Sequence, residues 1–261
     1  TEIFGEGTAG FGLYFENEER RVYPNNTLAS HVLGFIGKDE NGDLVGQYGI
    51  QGYYYGDITG REGYSYEEKD SSGNVILTAE YEPILPREGK DFKLTIVPNI
   101  QTKVEEILKE GVKDTRAKSG SVIIMDPKTG AILAMANYPT YDPNEYWRAS
   151  EAWVLKNRAV SDVYEYGSVQ KPITLAIALE NGVINKDYIC NDNKGYMDLF
   201  EATGYADLKG KRIYTWNRKA AGMLDIAGIF KESNNPCTAK IALKMDFNEF
   251  YSALKEFGIG E

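Results

Sequence analysis

Glu165-Tyr166-Gly167-Ser168-Val169-Gln170-Lys171-Pro172, continued by Ile173-Thr174-Leu175-Ala176-Ile177-Ala178-Leu179, decides how the rest of the chain is read. A serine and a lysine three residues apart at a helix mouth share one face. The lysine amine can then reach the serine hydroxyl and take its proton. Burial of the mouth favours this, because desolvation lowers a lysine pKa toward the range of a working base. Pro172 fits only in or beside a first helical turn, where backbone N–H groups have no helical partner. Asn181-Gly182 is a stop signal. The spacing therefore predicts a helix from about Ser168 to Asn181, apolar on nearly every side and placed in a core.

The pair alone is weak evidence, since a chain of a few hundred residues holds roughly one Ser-x-x-Lys by chance. A second match, Ser252-Ala253-Leu254-Lys255, shows the point. It falls in an amphipathic pattern with Phe247, Phe250, Leu254 and Phe257 as the expected apolar stripe, and both of its polar residues read as a solvated face. At Ser168 the preceding glycine, the apolar helix behind it and a downstream partner favour chemistry. That partner is Glu232-Ser233-Asn234-Asn235-Pro236, between segments that read as helices over Met223–Lys231 and Cys237–Lys244. Two readings of it stand side by side. It is a helix stop plus N-cap, or it is a short loop presenting the Ser233 hydroxyl and the Asn235 amide to a cleft.

The chain has 261 residues, 42% of them hydrophobic, enough for one large or two smaller domains. With 29 basic and 39 acidic residues the net charge is −10 and no Lys/Arg cluster stands out, which argues against nucleic acid as a partner. The longest apolar stretch falls short of the ~18 residues that suggest a membrane span. Cys190 and Cys237 are too few for a disulfide scaffold, and whether they pair is open at this stage. With His31 as the single histidine, neither a metal site nor a cofactor is expected.

Residues 1–90 are rich in Gly, Tyr and charge, with turn signals at Asn25-Asn26, Asn41-Gly42-Asp43, Ser72-Gly73-Asn74 and Pro86-Arg87-Glu88-Gly89. Short strands and loops are expected there, with a helical segment near Leu28–Leu33. Tyr53-Tyr54-Tyr55 reads as a half-buried strand or packing helix, and His31 as a hydrogen-bonded structural residue. The character changes at Asp91. Phe92–Val97 alternates like a strand, and Pro98-Asn99 opens a helix with Ile100, Val104, Ile107, Leu108 and Val112 at helical period. Ser121–Met125 and Ala131–Ala136 flank Asp126-Pro127-Lys128-Thr129-Gly130 as a hairpin. The expected class is α+β, an antiparallel sheet packed with helices. Residues 137–160 and 190–217 read as surface excursions. Asp246 and Glu249 form a capping box for a last helix that Gly258 ends.

Ser168-x-x-Lys171 followed by Ser233-x-Asn235 resembles the first two active-site motifs of the penicillin-recognising serine enzymes. Wider segments narrow the resemblance to class B penicillin-binding proteins, the monofunctional transpeptidases of bacterial wall synthesis. They are Arg21-Val22-Tyr23-Pro24, Leu28 to Gly37, Gly49-Ile50-Gln51, Asp126 to Ala136 and Asn157-Arg158-Ala159-Val160. The likeness implies a β-rich pedestal or dimerisation-like region over 1–90 and part of a transpeptidase domain over 91–261. It implies catalysis by Ser168 as nucleophile, Lys171 as base, Ser233 as proton relay and Asn235 as orienter of Lys171 and substrate. The implied partners are the D-Ala-D-Ala end of a peptidoglycan stem peptide, β-lactam antibiotics, and other wall-synthesis proteins through residues 1–90. The implied location is the outer face of the bacterial cell membrane.

The sequence departs from the family pattern at Tyr166, where proline is usual, at Val169-Gln170, where Thr-Phe or a similar pair is usual, and at Gln51, where glutamate is common. The family's third motif, a Lys-Thr/Ser-Gly strand, follows the other two. Lys128-Thr129-Gly130 precedes them at the hairpin turn and is not that motif. The expectation is a fragment cut at both ends, weak or inactive by itself. Two alternatives are a β-lactamase or β-lactam sensor, and a non-catalytic wall-synthesis scaffold.

Overall fold

The computed structural model describes residues 20–64 and 84–260; the turn expected at Ser72-Gly73-Asn74 lies outside them. The chain divides into two compact units, Thr1–Val163 and Tyr164–Glu261. Packing thus changes after Val163, whereas the sequence changes character at Asp91.

The first unit opens with α1 (Ser30–Leu33) and the antiparallel hairpin β1 (Phe35–Lys38) and β2 (Leu44–Gln47), then α2 (Gly49–Tyr53) and α3 (Tyr55–Thr59). Gly34 has φ 75°, and a Cβ there would lie 2.0 Å from the Tyr48 carbonyl oxygen, so only glycine lets α1 turn into β1 against α2. His31 is buried and its Nε2–H donates to the Val154 carbonyl at 2.8 Å, the structural role expected of it. Burial lowers its pKa below the ordinary histidine value, with the Val154 carbonyl opposing in part.

Helix α4 (Pro98–Asp114) packs Val104 and Val112 on the hairpin β3 (Gly120–Met125) and β4 (Ile132–Tyr138), in the register Ser121 opposite Asn137 and Ile123 opposite Met135. Ile107, expected on the apolar face, is 56% exposed. Fully buried Gln101 joins helix to strand by bonding both the Met135 N–H and the Met135 carbonyl. The Lys128-Thr129-Gly130 tripeptide sits in the hairpin turn, where the Thr129 hydroxyl donates to Asp126.

Two expectations in this unit are corrected. Phe92–Val97 forms no strand: in place of a ladder, the Val97 N–H and the Thr95 hydroxyl bond the Leu133 and Ile132 carbonyls of β4. Residues 137–160 are not a surface excursion. Through two 3-10 turns (Pro143–Arg148 and Ala152–Leu155) and α5 (Arg158–Ser161), this segment buries Tyr141 and Val154. Tyr146 stacks on Phe35 at 4.0 Å, and the Asn144 amide bonds the Tyr23 backbone in both directions. Burial of these aromatic side chains ties the segment to the rest of the unit.

In the second unit a 3-10 turn, Gly167–Gln170, runs into α6 (Lys171–Glu180). Helix α6 is buried on one face only: Thr174, Leu175, Ile177 and Ala178 point inward, while Leu179 is 40% exposed. The expected excursion over 190–217 is folded into β5 (Cys190–Asp192), β6 (Tyr196–Asp198), α7 (Leu199–Thr203), a 3-10 turn and β7 (Arg212–Tyr214). β6 pairs with β7, and β5 pairs with β8 (Gly222–Leu224). The helix expected from Met223 begins at Ile226 instead, because Asp225 caps the Gly228 N–H and leaves Met223 in β8; it is α8 (Ile226–Lys231). Next come α9 (Asn235–Ala242), capped by Asn234, and α10 (Phe247–Glu256), capped by Asp246. Phe250, Ala253 and Leu254 of α10 meet the core, but Phe247 and Phe257 lie outside it, at 77% and 55% exposed.

The core of this unit gathers Leu175, Ile177 and Ala178 with Leu224, Ile229 and Ile241, and a Cys190–Cys237 disulfide crosses it from β5 to α9. The bond closes a separation of 47 residues. Replacing both cysteines by alanine should lower stability by about 2–4 kcal/mol, read from denaturant melts of wild type and variant. His31 adds a pH dependence with a definite sign. Its folded pKa lies below its unfolded value, so the unfolded state binds the extra proton, and stability present at neutral pH is lost as pH falls below about 6.5. The stability gap between wild type and His31→Gln should shrink between pH 7.5 and pH 5; an unchanged gap would refute the assignment.

Candidate active site

Gly167, with φ 60°, turns the chain into the 3-10 segment that carries Ser168. Residues i and i+3 eclipse in such a turn, and this alignment places Lys171 over Ser168. The Lys171 Nζ lies 3.1 Å from Ser168 Oγ. Pro172 follows within the first α-helical turn, where its missing N–H has no cost.

The other wall of the site is the turn between α8 and α9. Ser233 has φ 47°, a left-handed conformation that turns its carbonyl and its side chain toward the same amine. Lys171 Nζ lies 2.8 Å from Ser233 Oγ and 2.6 Å from the Ser233 carbonyl oxygen, and the two hydroxyls are 3.1 Å apart. The three side chains form a closed triangle. An ammonium has three N–H donors for these three oxygens. A neutral amine donates to the carbonyl and to Ser233 Oγ and accepts from the Ser168 hydroxyl, while Ser233 O–H points to Ser168 Oγ. Partial burial moves the Lys171 pKa below the ordinary lysine value. Both protonation states are satisfied, and the neutral one is brought within reach.

Ser168, Lys171 and Ser233 are thus brought together. Asn235 is on the next turn, but its amide N–H donates to the Tyr214 carbonyl at 2.8 Å and not to Lys171. The decoy pair stays apart: Ser252 and Lys255 are exposed on α10, and Lys255 lies 5.0 Å over the Tyr251 ring. Tyr166 is half exposed two residues before Ser168 and meets Tyr164 edge-on at 5.2 Å. Among the described residues no group of three or more His, Cys, Asp or Glu side chains could hold a metal ion.

Two residues behind the site went unnoticed in the sequence. Asn234 is buried; its amide oxygen accepts the Cys237 N–H, and its amide nitrogen donates to Asp192 at 2.7 Å. The N-cap signal at Ser-Asn-Asn-Pro pointed to Asn234, but nothing local marked Asp192, which lies 42 positions earlier.

Comparison with known proteins identifies the family. The family model for the penicillin binding protein transpeptidase domain matches residues 120–261, and that for the penicillin-binding protein dimerisation domain matches residues 8–94. The probable peptidoglycan D,D-transpeptidase PenA of Neisseria gonorrhoeae is 33% identical over 94% of this chain and 39% of its own length. Stage V sporulation protein D of Bacillus subtilis is 30% identical over 96% of this chain and 37% of its length. The peptidoglycan D,D-transpeptidase FtsI of Escherichia coli K12 is 28% identical over 96% and 39%. The chain spans about two fifths of the length of these curated relatives. With a transpeptidase-domain match over more than half its residues, a dimerisation-domain match ahead of it and an assembled Ser-Lys-Ser triangle, the chain belongs to the class B penicillin-binding proteins.

Proposed function

We propose that the complete protein is a serine D,D-transpeptidase that cross-links peptidoglycan stem peptides outside the cytoplasmic membrane. The observation that carries the reading is the single amine in hydrogen-bond reach of two hydroxyls, Ser168 and Ser233. Ser168 Oγ attacks the carbonyl between the two terminal D-alanines as Lys171 Nζ takes its proton. The Ser168 N–H, at a turn whose first amides have no helical partner, contributes to holding the oxyanion. The proton then passes through Ser233 to the departing D-alanine nitrogen, leaving an ester on Ser168. The amine of a neighbouring stem attacks the ester carbonyl, gives up its proton to the neutral Lys171 and displaces Ser168 Oγ, which takes that proton from Lys171. Asn235, whose amide N–H donates to the Tyr214 carbonyl, binds a substrate amide in this reading. A β-lactam presents the same carbonyl and remains on Ser168 as an ester.

In this reading residues 1–90 form the pedestal, through which other wall-synthesis proteins bind, and residues 91–261 belong to the transpeptidase domain. The dimerisation-domain match over 8–94 supports this division and favours a transpeptidase over a β-lactamase.

In the complete protein, Ser168→Ala should abolish covalent labelling by a fluorescent penicillin; undiminished labelling would sink the assignment. Lys171→Met should retain the fold and slow labelling on the order of a hundredfold to ten-thousandfold, the range of a lost general base. The pH dependence has a sign. Only the neutral amine accepts a proton, so acylation falls as pH drops through the Lys171 pKa. With that pKa lowered by burial, the acid limb of the rate profile should lie below the titration of a free lysine. A limb at or above it would remove Lys171 as the base.

A further inference from the structure

We propose that Asp192 is a positioning residue for the contact between Ser233 and Lys171, acting through Asn234. The proposal rests on the acyl-enzyme reading above. Asp192 is 1% exposed, and both of its carboxylate oxygens are in use. One accepts the Gly195 N–H at 2.9 Å; the other accepts the Asn234 amide N–H at 2.7 Å and the Ala221 N–H at 3.3 Å. Among the ion pairs of the described residues none involves Asp192. A buried carboxylate compensated by amide dipoles alone is an expensive way to hold a strand, since a neutral side chain avoids the desolvation cost. The arrangement makes sense where two oxygens must accept from opposite sides.

What they hold is Asn234, also 1% exposed. Its side chain has no freedom: the oxygen caps α9 at Cys237, and the nitrogen is tied to Asp192. Its backbone N–H donates to the Ile229 carbonyl at 3.0 Å. That N–H belongs to the same rigid peptide plane as the Ser233 carbonyl, the oxygen that meets Lys171 Nζ at 2.6 Å. Fixing Asn234 therefore fixes the direction of the Ser233 carbonyl and sustains the left-handed φ of 47° that non-glycine residues adopt only under constraint. The disulfide spans the same two elements, two residues before Asp192 and three after Asn234. It holds the strand to the helix, whereas the Asp192–Asn234 hydrogen bond sets the orientation of the turn.

A reciprocal exchange tests the proposal in the complete protein, with fluorescent penicillin as probe and the saturating acylation rate constant, half-saturation concentration and melting temperature as readouts. Asp192→Asn puts an amide donor against an amide donor. Asn234→Asp keeps the cap but sets two carboxylates face to face. Each should slow acylation on the order of tenfold to a hundredfold, with half-saturation little changed. The double variant Asp192→Asn/Asn234→Asp restores donor to acceptor, losing only the long Ala221 contact. It should return to within about threefold of wild type, the signature of direct coupling.

Single variants that acylate Ser168 at the wild-type rate overturn the proposal. So does a loss that tracks only the folded fraction or the half-saturation concentration, and so does a double variant that is no better than the singles or does not fold. Should a single variant not fold, the folded double decides by its rate against wild type. If the wild-type protein is not labelled on Ser168, the acyl-enzyme reading fails and takes this proposal with it. Labelling with no effect of the exchange sinks this proposal alone.

Discussion

The site in the second unit depends on the placement of one amine among three oxygens. A lysine at the end of a flexible four-carbon stem carries about 2 kcal/mol of rotamer entropy, and left free it samples solvent. Here two hydroxyls and a carbonyl collect it, and each comes from a different structural device. The eclipsed 3-10 turn supplies the first hydroxyl, while the left-handed residue between two helices supplies the second and the carbonyl. The absence of a carboxylate from this triangle matters. A charged partner would hold the lysine protonated, whereas neutral acceptors leave the balance to burial, which favours the uncharged base.

The supports for these devices lie farther out along the chain. The 3-10 turn is held by α6, whose inward face is committed to the core through Leu175, Ile177 and Ala178. The left-handed turn is held by the N-cap of α9, by the buried carboxylate of Asp192 and by a covalent bond to β5. Burial accordingly deepens away from Ser168: Ser168 itself is exposed, Ser233 is half buried, and Asn234 is sealed. An exposed hydroxyl backed by sealed supports leaves a site open while its geometry is kept.

Much of this was legible in the residues. Periodicity found α4 and the β3–β4 hairpin, because long helices and tight turns carry strong local signals. Gly167 before Ser168 and Pro172 after Lys171 placed the nucleophile at a helix mouth, and the tripeptide at Lys128 was recognised as a turn. What failed was non-local. Residues 137–160 and 190–217 looked like loops because their partners, Phe35 in one case and Met223 in the other, are distant in the chain or lie outside the window of any period. Phe92–Val97 alternated like a strand but found no ladder. The pairing of Asp192 with Asn234 left no mark that a single sequence can show, since an aspartate in a polar stretch reads as solvated until its neighbours are known.

The Cys190–Cys237 bond has a further meaning for how such a chain can change over time. With the disulfide and the β5–β8 and β6–β7 pairings closing its base, the run 199–211, a small helix and a 3-10 turn, is a tethered insert. Its length, charge and aromatic content are free to drift while the residues at its base stay in register, because loop length adds little entropy once the ends are joined. Novelty in this protein has a protected place to accumulate there, at small risk to the contacts among Ser168, Lys171 and Ser233.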